Sequence, residues 1–192
     1  TSRGLARLFM SKSHRVFLEP REQVLAKRLA DRRLGSKYVK VGEKSYTRNT
    51  TPWESHYIGL QGEIAVGKLL RYPIGEFISP SGDGDEPDLY WGRRSVEVKT
   101  TKYSPPILKL DKLTDFVTDV LVLCYLAEES VIDVMGWVSK SDFFDKHSSR
   151  NFGYGERAIV EEGGSNPASE LIRWEPNGNR VRNSPVHIDI DV

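Results

Sequence analysis

The sequence predicts a single mixed α/β domain in which helices pack against a central sheet. Three observations predict it. Residues 51–71 open with a helix-capping pattern, residues 88–100 alternate apolar and polar side chains around a tight turn, and residues 120–138 contain two short apolar runs of the kind that form buried strands. The 192 residues suffice for one domain with its own core, and a hydrophobic share of 38% is ordinary for a globular protein.

The N-terminal 50 residues predict a basic helical segment. They carry 13 Lys and Arg against 4 Asp and Glu, a balance of +9, so the rest of the chain balances to −8 within the net charge of +1. Residues 19–34 have a narrow apolar stripe typical of a helix, with Gly35 as its expected end, and residues 36–50 predict a loop or short hairpin. The excess of positive charge indicates either a polyanionic partner or a solvated helix face, and the two alternatives stay open.

A second helix is predicted from Thr51 to about Arg71. Thr51 is a capping residue, Pro52 suits the first turn, and Glu54 follows three residues after the cap. Pro73 ends the helix.

Glu63 lies on the apolar side of this helix. On a helical wheel Glu54, Gln61 and Lys68 share the opposite side, which is predicted to face solvent. A buried charge needs a partner, so a metal site or Lys99 is expected near Glu63; the alternative is a glutamate at the helix edge. The nearby glycines at 59, 62 and 67 make sense if sheet or substrate backbone approaches the helix closely.

The remaining elements follow from local pattern. Cys124, the one cysteine, lies in an apolar run and is predicted to be buried, and no internal disulfide is possible. The pattern predicts strands at 74–78, 88–91, 95–100, 120–126, 131–138 and 186–192, a short helix within 108–116, a capped helix over 139–146 and a loop over 148–170.

The residues that could take part in catalysis or metal binding lie in the hairpin. Glu97 and Lys99 share one face of the predicted strand, and a turn at Gly92 folds Asp88 back toward them. Two carboxylates, the backbone carbonyl of Val98 and waters suit Mg²⁺, and a lysine beside them can position a water and offset charge on a phosphate. The alternative is an ordinary Glu–Lys pair on the wet face of a hairpin.

Glu63 on a capped helix, then Pro87-Asp88, then Glu97-Val98-Lys99 resembles the PD-(D/E)xK nuclease superfamily, which has the restriction-endonuclease-like fold. The motif spacing is most similar to that of archaeal Holliday-junction resolvases. The resemblance implies an αβββαβ core with a mixed central sheet over residues 52–138. Within a single domain of residues 1–192, residues 1–50 would then be a basic helical extension and residues 139–192 a C-terminal elaboration.

The resemblance also implies a role for each motif residue. Asp88, Glu97 and the Val98 carbonyl would bind Mg²⁺, for which Mn²⁺ would substitute. Lys99 would orient the attacking water, and Glu63 would bind a second metal ion or an ordered water. The implied reaction is hydrolysis of a DNA phosphodiester bond, most simply by an endonuclease.

Several alternatives remain at this stage. The chain could be a non-catalytic DNA-binding or assembly protein on the same fold, with the four polar residues as an ion-pair cluster, or a nuclease that acts on RNA. Cutting both strands in register needs two active sites, so a homodimer is one expectation. No signal peptide or membrane-spanning run is evident, so a cytoplasmic location is expected. Candidate DNA contacts are Arg28, Thr101, Lys102 and Lys109.

Overall fold

The structure is a computed structural model that describes residues 13–38, 50–73, 86–153, 155–160 and 164–173, without the side chains of 36–38 and 172–173. The predicted strands at 74–78 and 186–192 lie outside the described residues. The described helices are α1 (Pro20–Tyr38), α2 (Pro52–Leu69), α3 (Lys140–Lys146) and α4 (Ala168–Arg173). The strands are β1 (His14–Phe17), β2 (Leu89–Trp91), β3 (Arg94–Thr101), β4 (Leu108–Leu110), β5 (Val120–Glu128), β6 (Val131–Ser139), β7 (Ser148–Asn151) and β8 (Glu156–Val160).

The main sheet is mixed and has five strands in the order β1-β6-β5-β3-β2. Strands β3 and β5 are parallel, whereas the other three pairs are antiparallel. The β2–β3 hairpin turns at Gly92, whose φ of 65° is readily adopted by glycine. The prediction of an α/β fold with a mixed sheet is therefore confirmed.

Helix α2 packs on one face of this sheet, and α1 packs on α2. Apolar side chains of β3, β5 and β6 alternate toward them, among them Val98, Val122 and Val134, and form one core with the buried leucines of α1 and α2. The N-terminal segment predicted as an extension thus contributes both an edge strand and a helix to this core. Helix α1 continues through Gly35, which was expected to end it, because no proline or left-handed residue interrupts the helix there.

Helix α2 begins as the sequence predicts. Thr51 is its N-cap, and its hydroxyl accepts a hydrogen bond from the Glu54 amide at 3.1 Å. The predicted solvent side is wrong at Gln61, however, because α2 lies between α1 and the sheet. Gln61 is buried and accepts a hydrogen bond from the Ser130 amide, while Lys68 donates to the buried Glu22 carboxylate at 2.7 Å.

The opposite face of the main sheet holds a second, smaller core. Leu121 and Val138 point into it, and Phe116 meets Phe143 of α3 edge to face. A three-stranded sheet, β4-β8-β7, closes this side.

Two local predictions on this side are wrong. The predicted helix within 108–116 is instead β4 followed by one 3-10 turn at Leu113–Asp115, because the apolar side chains of Leu108 and Leu110 alternate into the core at strand spacing. The predicted loop over 148–170 contains β7, β8 and the start of α4, because β8 pairs with β4 through a register that carries its apolar side chains inward. In the described part of the chain, no helix is long and apolar enough to cross a membrane.

Candidate active site

The β2–β3 hairpin brings Asp88 to Glu97. Leu89 pairs with Val96, so the antiparallel register places Asp88 opposite Glu97 at the point where β2 begins. The Asp88 carboxylate accepts a hydrogen bond from the Val98 amide at 2.7 Å. This bond holds Asp88 in the plane of the sheet, at the end of the hairpin ladder.

The Val98 carbonyl points toward the same end. In a strand, the amide and carbonyl of one residue point to the same side, and the Val98 amide is directed at Asp88. If the β2–β3 register continued beyond Asp88 and Glu97 by one more residue pair, Val98 would lie opposite Pro87, which has no amide hydrogen to donate. The Pro-Asp sequence therefore leaves the Val98 carbonyl without a ladder donor beside two carboxylates.

Glu97 and Lys99 lie on the face of β3 that points away from α2, whereas Val96 and Val98 are buried on the helix face. The Lys99 ammonium forms an ion pair with Oε1 of Glu97. Oδ1 of Asp88 and Oε2 of Glu97 have no hydrogen-bond partner among the described residues. Within the described residues, each carboxylate thus has one oxygen without a hydrogen bond.

Helix α2 brings Glu63 to the site from the other face. Its neighbour Gly62 touches β3, because a Cβ at that position would lie 1.9 Å from the Thr100 hydroxyl oxygen. The expectation that glycine permits close approach of the sheet is confirmed at Gly62. At Gly59 no atom lies within 4 Å of the corresponding position, so close packing does not explain that glycine.

The partner of Glu63 is Arg33, a residue that the sequence interpretation missed. Its two terminal nitrogens donate to the two Glu63 oxygens at 2.7 and 2.8 Å, and both side chains are buried. The expected Lys99 partner is wrong, since Lys99 pairs with Glu97. Arg33 follows Leu25 and Leu29 at four-residue spacing, so a cation on the apolar stripe of α1 was the signal that could have identified it.

The surroundings of Asp88 disfavour the ionised form of its carboxyl group. Burial raises the pKa of Asp88 well above its ordinary value, and the negative charges of Glu63 and Glu97 raise it further. The hydrogen bond from Val98 and the charge of Lys99 act in the opposite direction but are outweighed. A half-buried carboxyl near other acids is an arrangement that a bound cation would neutralise.

Arg33 belongs to the same electrostatic group. Burial lowers its pKa, but the hydrogen bonds and charge of Glu63, with the charges of Asp88 and Glu97, outweigh burial and raise it overall. The guanidinium therefore stays charged and acts on all three carboxylates.

The residues predicted to contact DNA are scattered. Arg28 is exposed on α1, and the Thr101 hydroxyl accepts a hydrogen bond from the Tyr103 amide. Lys102 pairs with Glu54 at 2.6 Å, and Lys109, on the smaller sheet, lies over the ring of Phe152.

The oxygen atoms at this site are of the chemical type that binds a hard divalent cation. Asp88, Glu97 and the Val98 carbonyl offer only oxygen, which Mg²⁺ prefers and can supplement with waters. In the described ranges, no three His, Cys, Asp or Glu side chains cluster closely enough to hold a metal by themselves. Two carboxylates and a carbonyl are therefore the donor set that the hairpin supplies within the described residues.

Comparison with known proteins adds no relative. No family model matches the chain, and neither the curated proteins nor the solved structures contain a significant match. The resemblance to PD-(D/E)xK nucleases therefore rests on the motif residues alone.

Proposed function

We propose that this chain is a Mg²⁺-dependent DNA nuclease of the PD-(D/E)xK type, with Asp88, Glu97 and Lys99 at its active site. The observation that carries the proposal is Asp88, a half-buried carboxyl opposite Glu97 that has one oxygen without a hydrogen bond from the described residues and a pKa raised well above its ordinary value. An acid held beside other acids costs folding free energy, and a bound cation would offset that cost.

Different groups of the chain would bind the metal ion and act on the substrate. Asp88, Glu97 and the Val98 carbonyl would hold Mg²⁺, which supplies a Lewis acid and lowers the pKa of water when bound. Asp88 would bind in its ionised form, so metal binding would release a proton wherever Asp88 is protonated in the free protein.

Lys99 would act on the substrate. Its ammonium is half-exposed and held by Glu97, so it can reach solvent and a phosphate while its position stays fixed. There it would orient the attacking water and offset the negative charge that grows on the phosphate oxygens during in-line displacement. Glu63 contributes by holding Arg33 in place beside the carboxylates.

Cleavage of a substrate panel tests the proposal. Supercoiled plasmid, linear duplex, single-stranded DNA, a four-way junction and RNA would be incubated with the native protein in Mg²⁺, in Mn²⁺ and in EDTA. Lys99→Ala is the test variant, and Lys146→Ala is its control. The two lysines match in side-chain exposure, at 42% and 45%, and both lie beside a carboxylate.

The proposal expects cleavage that requires a divalent ion, survives Lys146→Ala and falls by at least about 100-fold in Lys99→Ala, a loss typical of removing one transition-state contact. Equal activity in the two lysine variants would exclude the role of Lys99. DNA binding without cleavage of any substrate would favour the non-catalytic alternative, in which the same residues form a structural ion-pair cluster. Preference for RNA would change the substrate and keep the chemistry.

A further inference from the structure

We propose that the Arg33 guanidinium is a built-in cation of this site, which replaces a second divalent ion at Glu63 and sets the metal content at one ion per chain. The inference rests on the proposed function for the ion at Asp88 and Glu97. It concerns Glu63 and Arg33, for which the structure gives direct contacts.

Arg33 engages both oxygens of Glu63. Both of its carboxylate oxygens accept hydrogen bonds from Arg33, at 2.7 and 2.8 Å, in the two-pronged geometry that matches a guanidinium to a carboxylate. The two side chains are 8% and 5% exposed. An ion that bound Glu63 would compete with Arg33 for these oxygens and weaken the pairing of a buried guanidinium, which is unfavourable.

Helix α1 is fixed in a way that keeps Arg33 there. Three turns earlier, the buried Glu22 pairs with Lys68 of α2 at 2.7 Å, so two ion pairs join α1 to α2. Nearer the start of α2, the Trp53 indole donates a hydrogen bond to Asp31 of α1 at 2.7 Å. Arg33 is thus held on a rigid element, as a permanent component of a site must be.

The charge balance favours the same metal content. With all acids ionised, three carboxylates face two cationic side chains, which leaves a formal charge of −1: Glu63, Asp88 and Glu97 against Arg33 and Lys99. One divalent ion reverses this to +1, which suits a phosphodiester anion. A second divalent ion would bring the native site to +3, whereas without Arg33 two ions give +2.

Counting bound Mn²⁺ tests the inference. The full chain, stripped with EDTA and dialysed, would be titrated with Mn²⁺ by calorimetry and by the loss of the free-ion electron paramagnetic resonance signal. Arg33→Met is the main variant, because methionine fills a similar apolar volume without charge. Arg32→Met, an exposed neighbour on the same helix, is the matched control. Glu63→Gln is a second variant that keeps a hydrogen-bonding partner for Arg33.

We expect one Mn²⁺ per native chain, one in Arg32→Met, one in Glu63→Gln and two in Arg33→Met, whose melting temperature should rise more with Mn²⁺ than that of the native chain. Two ions in the native chain, or loss of the single ion in Glu63→Gln, would overturn the inference. So would a count of one in folded Arg33→Met. If Arg33→Met does not fold, the counts in the native chain and in Glu63→Gln still decide.

The inference and the proposed function fail in different ways. One ion in the native chain and two in Arg33→Met, without cleavage of any nucleic acid, would keep the inference about the cation and reject the nuclease. Cleavage by a native chain that holds two ions would keep the nuclease and reject the inference. No Mn²⁺ bound by any form would reject both.

Discussion

Replacing Gly62 with alanine should force α2 and β3 apart. The added Cβ would lie 1.9 Å from the Thr100 hydroxyl oxygen, 3.1 Å from its Cβ and 3.3 Å from its Cγ2. Rotation of the threonine can move the oxygen but not the Cβ, so a tight contact remains in every rotamer. Gly59, on the same helix, has no atom within 4 Å of the equivalent position and supplies the control.

The two substitutions should have opposite effects on stability. Alanine gains about 1 kcal/mol over glycine within a helix, and this gain applies at both positions. Overpacking of a buried contact costs roughly 1–3 kcal/mol and applies only at Gly62. We therefore expect Gly59→Ala to raise the free energy of unfolding by up to about 1 kcal/mol and Gly62→Ala to lie about 1–3 kcal/mol below Gly59→Ala.

The effect on cleavage should be larger than the effect on folding. Gly62 precedes Glu63 and Thr100 follows Lys99, so a shift at their contact moves the two sides of the site apart. Catalytic groups tolerate displacements of about 0.5 Å, and about 1 Å can cost on the order of 100-fold in rate. Mg²⁺-dependent cleavage should fall in Gly62→Ala and stay near the native level in Gly59→Ala.

Urea unfolding and plasmid cleavage of both variants are the assays, together with Gly62→Ala/Thr100→Ala. Removing the threonine hydroxyl and methyl should recover part of the stability lost in Gly62→Ala, with a coupling energy of about 0.5–3 kcal/mol. Equal stabilities of the two glycine variants, or no coupling with Thr100, would refute the packing argument. Unchanged cleavage in a destabilised Gly62→Ala would refute its link to the site.

Three further predictions concern single groups. Because the pKa of Asp88 is raised in the folded chain, its contribution to the free energy of unfolding is complete below about pH 4 and is lost as pH rises through the folded pKa. Asp88→Asn should remove this loss. At pH 7 the metal-free variant should therefore have a higher melting temperature than the native chain, and Mg²⁺ should not raise it further. Pro87→Ala supplies an amide to the Val98 carbonyl, so calorimetry should show weaker Mg²⁺ binding in a fully folded variant. Cys124 is buried, and burial raises the pKa of its thiol. A thiol reagent should therefore modify Cys124 only as fast as the chain unfolds. Stopping the labelling reaction at timed intervals in increasing urea would measure this rate.

The elements that the sequence predicts well are those with strong local signals. The α2 cap needs only Thr51 and its next three residues, and the β2–β3 hairpin needs only a turn at Gly92 between alternating side chains. Asp88, Glu97 and the Val98 carbonyl come together through this hairpin, so local pattern was enough to predict their proximity. Their catalytic role stays a prediction.

The elements that the sequence does not predict depend on distant partners. Strand β7 is exposed along its whole length and has no apolar alternation, so only its pairing with β8 makes it a strand. The wheel assigned Gln61 to solvent because it assumes one buried face, whereas α2 is covered by α1 as well as by the sheet. Arg33 was missed for the same reason, since its partner is 30 residues away on another helix.

The alternative of a structural ion-pair cluster predicts a different pairing of the same residues. A structural cluster would match each acid with a cation, and two acids here are so matched: Glu63 by Arg33 and Glu97 by Lys99. Asp88 is not, since its hydrogen bond from the described residues comes from a backbone amide, and the charges of Glu63 and Glu97 raise its pKa. Neutralising a cluster member should destabilise a scaffold, because a paired buried charge loses its partner. Neutralising Asp88 should instead stabilise the metal-free chain, because an unmatched buried acid is a cost that the fold bears. The sign of that one change in melting temperature therefore separates a site built to receive a cation from a site that only holds the chain together.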